Sequence, residues 1–92
     1  MLNLVCWQSF KNNYAVGATY IYIVETLHEC QAECIKDATC RGINWEPSNI
    51  GKQCKLVTFV SELGNQSDPL IFYMHLDRHC QGKSYSSAYN FL

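Results

Sequence analysis

Apolar positions along the chain fall in short runs separated by polar or Gly/Pro breaks. Residues 4–10, 20–24, 41–46, 53–60 and 71–76 are brief, rich in aromatic and β-branched side chains and bounded by turn formers, a pattern that predicts antiparallel strands. One segment has a different period. Thr26-Leu27-His28-Glu29 fits a capping box, in which the Thr26 hydroxyl accepts from the Glu29 amide and the Glu29 carboxylate reaches back. A helix is expected from 27 to about 37, with Leu27, Cys30, Cys34 and Ile35 on one buried stripe. A single helix cannot enclose a core, so the stripe must press on one face of the sheet. The expected class is α+β, an antiparallel β-sheet packed against one α-helix.

Gly17, Gly51, Gly64, Pro47 and Pro69 read as turn positions, and residues 46–52 as a hairpin loop. Strand alternation then sorts the faces. If Cys54 and Leu56 face the helix, Gln53, Lys55 and Val57 face away. By the same rule Ile43, Trp45, Phe72, Met74 and Leu76 are core, while Asn44, Glu46, Tyr73 and His75 point outward. The outward set Asn44, Lys55, Tyr73 and His75 suits glycan or protein contact, because rings supply apolar area while amides and charges fix orientation. A plain solvated sheet face has the same composition, which leaves the loop from Pro47 to Lys52 as a rival location. Arg41, Lys52 and Lys55 form a candidate patch for a sulfated glycan. Tyr14, Tyr20 and Tyr22 read as half-buried packing residues in preference to a paratope-like surface.

Ninety-two residues supply surface for one core and hence one domain. Seven Lys and Arg against eight Asp and Glu leave a formal charge of −1, with the cations scattered, so nothing electrostatic favours nucleic acid or an anionic membrane as partner. The longest apolar stretch, 20–24, is too short to cross a bilayer.

The six cysteines, an even number in a short chain, change the picture most. They indicate a disulfide framework and therefore a secreted or cell-surface protein whose leader has been removed from a longer precursor. Zinc is the competing reading, since Cys30 and Cys34 lie four apart, as do His75 and His79. No C-x2-C knuckle is present, however, and on a strand the two histidines would stand ~13 Å apart. The sequon Asn65-Gln66-Ser67 falls in a polar stretch and fits a secreted glycoprotein, with Asn65 as acceptor. A thiol catalyst needs a free Cys beside a base, and a hydrolase triad needs a positioned Ser and a pocket. Neither is evident, so no catalytic residue, metal or cofactor is assigned and the chain is expected not to be an enzyme. Spacing alone leaves fifteen cysteine pairings open.

Cys6, then Leu27-His28-Glu29-Cys30-Gln31-Ala32-Glu33-Cys34, then Cys40-Arg41-Gly42-Ile43-Asn44-Trp45, Cys54-Lys55-Leu56 and Cys80 together resemble the PAN/apple family, which includes the N-terminal modules of plasminogen and hepatocyte growth factor. The resemblance spans residues 6 to 80, so residues 1–80 are expected to be the domain and 81–92 a linker or C-terminal tail. It implies the pairs Cys6–Cys80, Cys30–Cys54 and Cys34–Cys40. Loop entropy would make the terminal bridge worth roughly 4–5 kcal/mol and the short one about 2. It also implies an extracellular adhesion or binding module, recognising a protein or a carbohydrate and forming part of a larger secreted or cell-surface protein. A free-standing secreted inhibitor or toxin-like ligand is the alternative. A shared scaffold names a class of task and not a ligand.

Overall fold

The computed structural model describes residues 6–80. In chain order they form β1 (Cys6–Lys11), β2 (Asn13–Tyr22), α1 (Leu27–Lys36), β3 (Gly42–Trp45), β4 (Cys54–Asn65) and β5 (Phe72–Asp77). The strands make one antiparallel sheet in the order β1-β5-β3-β4-β2, and α1 packs on β3 and β4. This is the α+β arrangement that the two periodicities predict. The expected tail, 81–92, lies outside the described residues.

α1 begins as its capping box requires. The Thr26 hydroxyl accepts from the Glu29 amide at 3.1 Å, and the Glu29 carboxylate accepts from the Thr26 amide at 3.1 Å. At the other end the Arg78 guanidinium donates to the carbonyls of Ile35, Cys34, Asp37 and Cys40 at 3.0, 3.0, 2.7 and 3.1 Å. A helix C-terminus carries unpaired carbonyls and the negative end of the macrodipole, and a planar cation answers both. The buried line differs from expectation in one place: Ile35 stays 38% exposed, while Gln31 is 2% exposed. Leu27, Gln31 and Cys34 follow the line toward the sheet, and Ile35 lies one helical step, ~100°, past Cys34.

Trp7, Ile43, Trp45, Leu56, Met74 and Leu76 fill the space between sheet and helix, together with Cys30, Cys34, Cys40 and Cys54. Cys30–Cys54 fastens the first half of α1 to the start of β4, and Cys34–Cys40 closes the turn into β3. Cys6–Cys80 joins the start of β1 to the chain just beyond β5. These are the pairs that the family resemblance implies, and among the described residues no cysteine is free.

The departure that matters for function is in β2 and β4. The strand expected at 20–24 overlaps only the end of β2, which starts at Asn13 and stops at Tyr22, and the one expected at 53–60 is the first part of β4, which runs to Asn65. Gly17 and Gly64, read from sequence as turn formers, lie inside these strands. A Cβ on Gly17 would come within 2.1 Å of the Phe59 carbonyl oxygen, and one on Gly64 within 2.4 Å of the Tyr14 ring. Both glycines serve close approach between strands. Of the three glycines only Gly51, with φ of +83°, occupies the turn assigned to it, while Pro47 and Pro69 both sit in turns as expected. Register shifts opposite Val16/Gly17 and Ala18/Thr19 leave Ser61 and Thr58 without a paired residue and mark bulges in β4, which bend a strand and raise its twist. The upper half of the β2–β4 pair thus folds across the sheet face opposite α1. Asn12, at φ of +64°, makes the sharp step from β1 to β2, a conformation Asn tolerates better than most residues.

A roofed cleft on the face opposite the helix

Registers of Asn44 with Tyr73 and Lys55, and of Gln8 and Gly42 with His75, put these side chains together on the face away from α1, as alternation predicts. Solvent does not reach all of them. Asn44 is 5% and Tyr73 4% exposed, which corrects the expectation of an open outward surface. The folded-over β2–β4 pair forms a roof there, and Ala15, Val57 and Tyr73 make a second small core with Phe10 and Val60 against it. Asn44 holds that roof down: its amide donates to the Ala15 carbonyl at 3.0 Å, and its side-chain oxygen accepts from the Ala15 amide at 2.8 Å. Buried, both backbone polar groups of one residue are satisfied by one side chain.

Between roof and sheet lies a cleft of about 390 Å³ lined by Gln8, Phe10, Arg41, Phe59, Val60, Leu63, Tyr73 and His75. Its floor is a ladder of rings. Phe10 and Tyr73 stack with centroids 5.9 Å apart, and Tyr73 leads on to His75 at 6.2 Å, within the range of favourable ring contacts. Burial pushes the Tyr73 hydroxyl up to about 12, opposed by the Arg41 cation. That hydroxyl is 3.1 Å from His75 Nδ1, so it enters the cleft as a neutral, hydrogen-bonded group. The lip is apolar: Phe59 is 55% and Leu63 41% exposed. At one end Arg41 has its Nε donating to the Thr58 carbonyl at 3.1 Å and forms no ion pair among the described residues. Arg41 and His75 also line a neighbouring, more polar hollow of about 500 Å³ with Thr39, Thr58, Asp77 and His79.

Of the residues singled out from sequence, the structure brings Tyr73, His75 and Arg41 to this cleft. Asn44 lies under the roof, and Lys55 sits half-buried beside it on the same face. Lys52 is exposed in the β3–β4 turn, at the opposite end of β3 from Arg41, whose amide bonds the Val57 carbonyl. Arg41, Lys52 and Lys55 are therefore not one basic patch. Gln8, Phe10, Phe59, Val60 and Leu63 were missed, because no local pattern says that β4 doubles back over its own sheet. Gly17 among β-branched residues was the available signal. Tyr20 and Tyr22, read as packing, are 39% and 38% exposed. Register with Leu56 and Cys54 puts them beside α1, where Tyr20 donates to Asp37 and the nearby Glu33 carboxylate raises the Tyr22 hydroxyl above its usual range. Asn65 ends β4 in the open, its Oδ1 accepting from Asn13 at 2.7 Å.

No helix among the described residues is long and apolar enough to cross a membrane. A family model described as PAN domain matches residues 6–87 of the 92-residue chain. No curated protein and no solved structure gives a significant match. With the family model covering nearly the whole chain, and the sheet, helix and three bridges arranged as described, this chain belongs to the PAN domain family.

Proposed function

We propose that this PAN domain is an extracellular recognition module that takes its ligand, a protein or a carbohydrate, in the roofed cleft, and that it works as part of a larger secreted or cell-surface protein. PAN domains are protein- and carbohydrate-binding modules, and three disulfides suit an oxidising compartment. The observation that carries the reading is the cleft itself: an aromatic floor, two exposed apolar residues at its lip, and at its end an arginine that forms no ion pair among the described residues. Concave, mostly apolar sites with a few convergent polar groups are where ligands bind. Tyr73 and His75 act from the floor, Arg41 fixes orientation, and Asn44 holds the shape. Lys55 stands outside as a secondary contact, and Lys52, in the β3–β4 turn, takes no part. Asn65 is the proposed glycan acceptor, since its exposed Nδ2 is left free by the bond to its oxygen.

Ligands found by glycan array and by affinity capture with oxidised protein test the reading. Because Tyr73 is buried, the informative variants are at the lip and end: Leu63→Asp and Arg41→Gln should each weaken binding by ~10-fold or more, about 1.4 kcal/mol. Lys52→Ala should leave it near wild type. Unchanged affinity in both cleft variants sinks the assignment.

A further inference from the structure

β2 is an edge strand, and its two halves are treated differently. In the upper half the outward N–H and C=O of Ala15 are both taken by Asn44. In the lower half and the residue after it, Gly17-Ala18-Thr19-Tyr20-Ile21-Tyr22-Ile23, every residue is exposed, and among the described residues the backbone makes no hydrogen bond beyond those to β4. This stretch has no charge and no proline, and Ile21 and Ile23 are 45% and 82% exposed. Edge strands are normally blunted by charge, proline, shortness or cover, because open peptide groups recruit another strand. The other edge follows that rule: over its described residues β1 ends in Lys11 and is tied down by the Cys6–Cys80 bridge.

We propose that the lower half of β2 pairs with β2 of a second copy of this chain, antiparallel across a two-fold axis, to form a continuous ten-stranded sheet. A neutral run meets itself without like-charge repulsion, and antiparallel pairing sets β-branched and aromatic residues opposite one another. The Tyr20 ring is already held by Asp37, and the Tyr22 hydroxyl lies near Glu33, so less freedom is lost on pairing. Assembly stops at two copies, because among the described residues the edges then left are two copies of the protected β1, which is the closed symmetry expected of an isologous contact. The contact is short, which places it among weak interfaces.

Sedimentation velocity of the full oxidised chain from ~10 µM to ~1 mM should show the average mass rising from one chain toward two. Ile21→Lys should hold it at one chain over the same range. Ile50→Lys, which removes an equally apolar residue that is 81% exposed in the β3–β4 turn, should behave as wild type. Hydrogen exchange of the wild type at both ends of the range gives a readout independent of any variant: amides between Ala18 and Tyr22 should slow at the high concentration. A single-chain mass at ~1 mM overturns the proposal. So does equal loss of association in Ile50→Lys, or association without slowed exchange at those amides.

Discussion

Asn44→Ala tests the link between fold and cleft, because one side chain there secures the roof by two hydrogen bonds to the backbone of a single residue. Asn44 is 5% and Ala15 3% exposed, so water cannot readily replace what is lost. The substitution leaves the Ala15 N–H and C=O buried and unpaired, at ~1–3 kcal/mol each, and partial opening of the roof should relieve some of that. A net loss of about 2–4 kcal/mol follows, a large part of the ~5–15 kcal/mol that holds small domains together. At ~4–8 °C per kcal/mol for a domain of this size, the thermal midpoint should fall by ~10 °C or more. Urea denaturation with the disulfides intact reads the loss, and hydrogen exchange at Ala15 locates it. Asn44→Asp keeps the acceptor for the Ala15 amide but loses the donor and buries a charge, so it should be no better tolerated. A loss below ~1 kcal/mol, or unaltered exchange at Ala15, would show that packing of Val57, Val60 and Tyr73 holds the roof without Asn44.

Arg78→Met keeps the apolar stem but removes the cation from four carbonyls at the end of α1. With hydrogen bonds to charge worth ~1.5–3 kcal/mol singly but partly replaced by water here, a loss of about 2 kcal/mol in urea unfolding is expected, and an unchanged midpoint would contradict the capping role. Stability should also fall at both ends of the pH scale through the Tyr20–Asp37 contact. Bonds from Tyr20 and then Thr39 hold the Asp37 carboxyl below the usual range, so its contribution is present above the unfolded value near 4 and is lost as pH falls through the lower folded value. The same contact raises Tyr20 from 10.0 to about 12, so that contribution is complete below pH 10 and disappears as pH climbs toward 12. Asp37→Asn should make the acid limb shallower, with Glu33, also lowered, supplying the remainder, and should return Tyr20 toward 10 in an absorbance titration. A tyrosine titration unchanged by the variant would refute the coupling.

Local patterns in the sequence determined the elements: the capping box set the first turn of α1, two-residue alternation sorted Ile43, Trp45, Met74 and Leu76 from Asn44, Lys55, Tyr73 and His75, and the six cysteines with the spacing of their family carried the framework. Each depends on neighbours a few residues apart, so each is written in the chain. Whether a face is open depends on what the chain does 30 residues away. Asn44 and Tyr73 were placed on the correct side yet read as exposed, because only the bend of β2 and β4 at Gly17 brings Ala15 over them. The cleft, with walls from β1, β4 and β5 and Arg41 at its end, is therefore a product of tertiary structure. It exists because a bulged pair of strands buries more apolar surface folded over the sheet than extended into water.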